Sequence, residues 1–89
     1  MSEQLAFLPK AWEDYLYWQT QDKKTLNRIN QLLRDIIRNG NNGLGKPEPL
    51  RNNPTGEWSR RIDEKNRLVY RILEDRIEII QCRTHYGDK

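Results

Sequence analysis

The clearest pattern along the chain is a series of apolar residues with helical spacing in its first half. The series consists of Leu26, Ile29, Leu32, Leu33, Ile36 and Ile37. Residues three and four positions apart share one face of an α-helix, so the spacing predicts an amphipathic helix with one buried stripe. Asp22 is a suitable N-cap residue for this helix, and Gly40 with the polar residues after it is expected to end it.

A short strand and a first helix are predicted before this segment. Residues 5–8 form an apolar run that is typical of a short strand. Pro9 ends the run and suits the first turn of a helix, where a missing N–H has no consequence. Residues 10–20 are then predicted to be helical, since Trp12 and Leu16 fall on a common face.

The second half of the chain changes to a pattern of strands. A polar loop rich in glycine and proline is predicted over residues 39–56. Three candidate strands follow it: 57–62, 67–73 and 76–82. Short turns at 63–66 and 74–75 join them, which predicts two successive hairpins and thus a three-stranded antiparallel meander. The order of strand, two helices and three strands predicts an α+β fold with the helices against a curved sheet.

Length, charge and cysteine content narrow the class of protein. The 89 residues are enough for one domain, predicted over 1–89, and the formal charge of +3 suits a partner that carries phosphate groups. Cys82 is the only cysteine and His85 the only histidine, so neither an intrachain disulfide nor a Cys/His zinc-ligand set is available. The apolar run at 5–8 is too short for a signal peptide or a membrane span, so we expect a cytoplasmic protein with no membrane partner.

Glu48 is the first residue that could carry chemistry. It stands between Pro47 and Pro49, and the restriction that proline places on its own and the preceding residue predicts stiff, extended backbone. Lys46 and Arg51 lie close in sequence, and nearby cations favour the ionised carboxylate. A held carboxylate beside cations suits the removal of a proton from a ribose hydroxyl near a phosphate. A surface glutamate in a proline turn is the alternative.

Arginines and the single histidine supply the other candidates. Arg60 and Arg61 are neighbours on a predicted strand, where side chains alternate between faces, so at most one of them shares a groove with Arg67. Guanidinium groups bind phosphate bidentately and keep their charge at neutral pH. His85 suits a proton donor because an ordinary imidazole has a pKa of about 6.5, and Tyr86 could stack on a base. Solvent-exposed arginines and an incidental histidine are the alternatives.

Several segments taken together resemble one known family. These are WEDYLYW at 12–18, GKPEPL at 45–50, GEWSRRI at 56–62, RLVY at 67–70 and CRTHY at 82–86. They occur in the same order in the YoeB (Txe) toxins of the RelE/ParE superfamily, and the resemblance covers nearly the whole chain. It implies the toxin of a type II toxin-antitoxin system: an endoribonuclease without metal or other cofactor that cuts mRNA in the ribosomal A site and so inhibits translation. It also implies an antitoxin partner of the YefM type, and members of the family can dimerise.

The resemblance also assigns roles to residues of this sequence. Glu48 would be the general base for the ribose 2′-hydroxyl, Arg67 would stabilise charge at the phosphate, and His85 would protonate the leaving 5′-oxygen. Phosphate or substrate contacts would come from Lys46, Arg51, Arg61 and Tyr86. This sequence departs from the family pattern in having Arg51 and Lys65 where lysine and an acid are expected, and in continuing with residues 87–89 after the His-Tyr pair.

Two other functions would use the same fold or charge. A toxin of the ParE type inhibits gyrase and does not need the set Glu48, Arg67 and His85, whereas a basic module could bind RNA or the ribosome without activity.

The strand register also bears on the catalytic hypothesis. A two-residue turn at 74–75 pairs Arg67 with Cys82, and strict alternation then directs His85 away from Arg67. The catalytic hypothesis therefore requires the chain after Cys82 to bulge or leave the sheet.

Overall fold

The computed structural model describes residues 4–51 and 55–84 and shows a mixed sheet with two helices. In chain order the elements are β1 (Leu5–Phe7), α1 (Pro9–Gln21), α2 (Lys23–Asn39), β2 (Glu48–Pro49), β3 (Trp58–Arg61), β4 (Arg67–Ile72) and β5 (Ile77–Gln81). The strands lie in the order β1-β5-β4-β3-β2. The predicted α+β class is confirmed, and both helices and the three long strands lie within a few residues of their predicted limits.

The predicted helix ends have clear physical causes. Pro9 is the first residue of α1. The Asp22 side chain accepts hydrogen bonds from the backbone N–H groups of Lys24 and Thr25, at 3.1 and 3.2 Å, and thereby caps α2. Hydrogen bonds from the side chain and backbone of Thr25 lower the pKa of Asp22. Gly40 ends α2 at a φ of 65°, with its N–H donating to the carbonyl of Ile36.

Two features of the sheet differ from the predicted meander. The meander itself is present, since β3 pairs with β4 and β4 with β5 in antiparallel fashion. The segment 39–56 was expected to be loop throughout, but Glu48 and Pro49 form a short edge strand against Ser59 and Trp58. At the other edge β1 pairs with β5 in parallel. The sheet therefore has five strands, because both edges of the meander are covered by short segments from elsewhere in the chain.

The core lies between the helices and one face of the sheet. The apolar stripe of α2 supplies Ile29, Leu32 and Ile36, all with no exposed surface, and Leu68 and Tyr70 of β4 are likewise fully buried. The remaining buried apolar residues of this cluster include Ala11, Trp18, Leu33, Ile62, Ile77, Ile79 and Cys82. The helices thus cover one face of the sheet, and the opposite face is left for the polar residues described below.

The predicted register between β4 and β5 is confirmed near the turn, where Ile72 pairs with Ile77, but it is wrong farther from the turn. Tyr70 pairs with Ile79, but the residue before it on β4, Val69, pairs with Gln81. Ile80 is therefore an extra residue, a bulge that reverses the alternation of side chains beyond it. Because of this shift Arg67 does not lie opposite Cys82 as expected. The structure thus has a bulge before Cys82, whereas the catalytic hypothesis asked for one after it.

Candidate functional site

The open face of the sheet brings residues of four strands together in one row. Glu48 of β2 pairs with Ser59 of β3, Ser59 with Val69 of β4, and Val69 with Gln81 of β5. Paired residues in a sheet project from the same face. Since Leu68 and its alternate neighbours on β4 face the helices, this row lies on the face opposite to them.

Arg67 and Glu48 meet on this open face. One guanidinium nitrogen of Arg67, Nη1, lies 3.5 Å from Oε2 of Glu48 and donates to Oγ of Ser59 at 3.3 Å. The Arg67 side chain is 14% exposed, whereas that of Glu48 is 48% exposed. The arginine is therefore held by the sheet, and the carboxylate beside it is open to a ligand arriving from solvent.

Other predicted cations lie around this pair. Arg61 is paired with Arg67 across β3 and β4 and is exposed. Its N–H donates to the carbonyl of Gly45 at 2.7 Å, which brings the backbone of the adjacent Lys46 alongside β3. Lys46 is exposed and has a φ of 52°. Arg51 is exposed two residues beyond β2. The sheet thus gathers Glu48, Arg61 and Arg67, while Lys46 precedes the edge strand and Arg51 follows it.

Arg60 faces the opposite way from its neighbour. It has no exposed surface, and it pairs with the buried Leu68 on the side of the sheet that faces the helices. The prediction that at most one of the two adjacent arginines shares a groove with Arg67 is confirmed, and Arg61 is that residue.

The chain at the end of β5 is held by α1. The backbone N–H of Cys82 donates to Oδ2 of Asp14 at 3.0 Å, and Nε1 of Trp18 donates to the Cys82 carbonyl at 2.8 Å. Asp14 is 3% exposed and also accepts a hydrogen bond from Lys10 at 2.7 Å. Both backbone groups of Cys82 are therefore satisfied by helix side chains, which replaces the sheet pairing lost at the bulge.

The last described residues run beside Arg67. The backbone N–H of Arg67 donates to the carbonyl of Thr84 at 3.0 Å, and the N–H of Thr84 donates to Oδ1 of Asn66 at 2.6 Å. Thr84 has a φ of 67°, an uncommon conformation for a β-branched residue, three residues beyond the end of β5. The predicted residues His85 and Tyr86 lie outside the described residues, as do residues 87–89.

Two residues at this site were missed by sequence reasoning. Ser59 accepts the hydrogen bond from Arg67, and Gln81 donates from Nε2 to the carbonyls of Arg83 and Thr84 at 3.2 Å each. Ser59 could have been found, because it lies two positions from Arg61 on the same strand and so shares its face. Gln81 could not, because its face depends on the bulge.

The described part of the chain also limits other kinds of site. Within residues 4–51 and 55–84, no three His, Cys, Asp or Glu side chains are grouped so that they could hold a metal ion. Burial, with a smaller contribution from the nearby Asp14, raises the pKa of the Cys82 thiol to about 12, while Lys10 opposes this shift. That thiol is therefore poorly suited to act as a nucleophile. No described helix combines the length and the apolar content needed to cross a bilayer.

Solved structures with this fold define its class. A YoeB/ParE toxin from Agrobacterium tumefaciens has a TM-score of 0.89 and 45% identity, covering 93% of this chain and 99% of that chain. A YoeB from Staphylococcus aureus, described as a dimer, has a TM-score of 0.88 and 49% identity, covering 93% and 97%. A heterotetrameric YoeB-YefM toxin-antitoxin complex from the same organism contains a chain with a TM-score of 0.85. The fold is that of small bacterial toxins of this structural class.

The sequence comparisons identify the family within that class. A family model described as a YoeB-like toxin of bacterial type II toxin-antitoxin systems matches residues 7–86. The toxin YoeB of Escherichia coli K12 is 49% identical over 82 residues, which is 92% of this chain and 98% of that toxin. The chain belongs to the YoeB-like toxins of bacterial type II toxin-antitoxin systems.

Proposed function

We propose that this toxin is a ribosome-dependent endoribonuclease that cleaves mRNA by attack of a ribose 2′-hydroxyl on the adjacent phosphate. The observation that carries the proposal is the approach of Glu48 to Arg67, 3.5 Å apart on the open face of the sheet, with Arg61 paired beside Arg67. A carboxylate and two guanidinium groups suit a reaction that removes a proton next to an anionic phosphate.

The roles follow from what each group can do chemically. Glu48 carries an accessible carboxylate, so it accepts the proton of the attacking 2′-hydroxyl. Arg67 does not exchange its protons usefully at neutral pH, so it balances the charge that develops on the phosphate oxygens. His85 donates a proton to the departing 5′-oxygen, in the role that the family resemblance implies. The 2′-oxygen–phosphorus bond forms as the bond to the 5′-oxygen breaks, which leaves a 2′,3′-cyclic phosphate. No metal or other cofactor takes part in this scheme.

Binding of the message is assigned to the surrounding cations. Lys46, Arg51 and Arg61 contact phosphates on either side of the scissile bond, and Tyr86 supports the substrate. The strand β2, which carries Glu48, contributes only two residues to the open face. Such a face orders few nucleotides by itself, so the ribosomal A site supplies the remaining positioning. Cytoplasmic translation is therefore the setting, and naked RNA is expected to be cut far more slowly than ribosome-bound message.

The second partner is an antitoxin. Because the Staphylococcus aureus relative is described in complex with YefM, we propose a YefM-type partner whose acidic, partly disordered segment covers Arg61, Arg67 and His85. Carboxylates on that segment would occupy the positions of message phosphates, so the toxin would bind either the antitoxin or the message, but not both at once. Binding that does not weaken with added salt would contradict this surface assignment. A homodimer is also proposed, from the dimeric relative.

The assigned roles are tested with a message that carries sulfur in place of the scissile 5′-oxygen. A thiolate leaves without being protonated, so this substrate should largely restore His85→Gln, whose defect on ordinary message should be about 10²- to 10⁴-fold. Glu48→Gln should stay slow on both substrates, because the attacking hydroxyl is unchanged. Glu13→Gln, the same change at an exposed position of α1, is the matched control and should cleave normally. Rescue of Glu48→Gln by sulfur would overturn the assignment.

The same assay decides between the proposal and its alternatives. If ribosome-bound message stays intact in the presence of the folded wild-type protein, the proposed nuclease activity is ruled out. Inhibition of gyrase would then support a toxin of the ParE type, and ribosome binding without cleavage would support a basic binding module.

A further inference from the structure

Arg60 makes an unusually complete set of interactions away from the open face. Its guanidinium donates five hydrogen bonds, and their acceptors are the Asp35 carboxylate, the Tyr70 hydroxyl and the carbonyls of Gly40, Asn42 and Leu44. The distances to the three carbonyls are 2.6, 2.7 and 3.0 Å, in that order along the chain. The side chain has no exposed surface. A buried guanidinium with this many charge-assisted bonds fixes whatever it binds.

The bound segment is the loop that leads from α2 to the edge strand. Asp35 also binds this segment, since it accepts hydrogen bonds from the N–H of Leu44 at 2.9 Å and from the Asn39 side chain at 2.7 Å. Gly43 lies so close that a Cβ at this position would stand 2.0 Å from Oδ2 of Asp35. The loop at residues 40–45 therefore wraps around the ion pair of Arg60 and Asp35.

The edge strand is short and lies at one margin of the sheet. Both residues of β2, Glu48 and Pro49, are exposed, so burial of apolar surface does not fix them. Hydrogen bonds flank the strand on each side: the N–H of Arg61 donates to the Gly45 carbonyl at 2.7 Å, and that of Leu50 donates to the Glu57 carbonyl at 3.0 Å. The first of these depends directly on the course of the 40–45 loop, and both require β2 to stay paired with β3.

We infer that Arg60 is a positioning residue, which holds the loop at residues 40–45 so that the Glu48 carboxylate stands beside Arg67. The inference deepens the proposed function, and its catalytic consequence rests on that function. The adjacent residues Arg60 and Arg61 then have different roles on the two faces of β3. The buried arginine fixes the segment that carries the base, and the exposed arginine faces the substrate.

The experiment compares Arg60→Lys with wild type by amide hydrogen exchange and by cleavage kinetics. Lysine keeps the positive charge but cannot span the same acceptors in a planar fork. Exchange at the Arg61 and Leu50 amides should accelerate at least tenfold, while the amide of Leu73, which pairs with Arg76 in the β4–β5 hairpin, should not change. The kcat should fall about 10- to 100-fold with little change in KM, as expected for a misplaced catalytic group.

A double-mutant cycle separates positioning from a general loss of folding. In the Glu48→Gln background, Arg60→Lys should cause no further loss of kcat, because the group that it positions is already inactive. Asp35→Asn should reproduce the pattern more weakly. Arg34→Lys, the same change at an exposed site on α2, should alter neither exchange nor kcat.

Three results would overturn the inference. They are unchanged exchange at Arg61 and Leu50, equal acceleration at Leu73, or an additive loss in the double variant. Full activity of Glu48→Gln would instead refute the proposed function, and the exchange data alone would then decide whether Arg60 holds the loop.

Discussion

The attachment of β5 to α1 through Asp14 gives a quantitative prediction about stability. Replacing Asp14 by alanine removes the acceptor of the Cys82 N–H, which is buried, and also the partner of Lys10. A hydrogen bond to a charged group contributes about 1.5–3 kcal/mol, and an ion pair between residues four positions apart on a helix about 0.3–0.5 kcal/mol. We therefore expect Asp14→Ala to lower the free energy of unfolding by about 2–3 kcal/mol.

Lys10 provides the matched control for this prediction. Its side chain is 58% exposed, so Lys10→Ala removes only the ion pair and should lower the free energy of unfolding by no more than about 0.5 kcal/mol. Asp14→Asn keeps an acceptor of the same shape and should fall between the two. Urea unfolding followed by tryptophan fluorescence measures all three, because Trp18 lies beside Cys82. Equal losses for Asp14→Ala and Lys10→Ala would refute the reasoning, since the buried bond would then contribute nothing.

Two further predictions follow from groups whose pKa departs from its ordinary value. Burial by itself raises the pKa of Asp35, but hydrogen bonds from Arg60, Leu44 and Asn39 outweigh it and hold that pKa below 3.8. The stabilising contribution is therefore present above about pH 3.8 and is lost as the pH falls through the lowered value. The acid side of the stability curve should flatten in Asp35→Asn, and an unchanged slope in urea titrations at pH 2–5 would contradict this. Cys82, with a thiol pKa raised to about 12, should not react with a disulfide reagent at pH 8 until the protein unfolds; rapid reaction of folded protein would contradict its burial.

Local patterns in the sequence were sufficient to predict most of the secondary structure. The apolar stripe of α2, its Asp22 cap and its Gly40 end are properties of neighbouring residues, so they could be found without knowing what the helix packs against. The alternation along β3 likewise required Arg60 and Arg61 to face opposite ways. The prolines around Glu48 predicted extended backbone, and the structure has a strand there.

Only the tertiary structure decided which residues share a face and meet. Alternation separates Arg60 from Arg61 but does not say which one is buried, because that depends on which face the helices cover. The extra residue Ile80 reverses the side-chain order of β5, and such a bulge reflects the fit between two strands and α1 instead of any local preference. The approach of Glu48 to Arg67 joins residues from separate strands through pairing that the sequence pattern did not reveal, since a two-residue edge strand leaves almost no periodic signal.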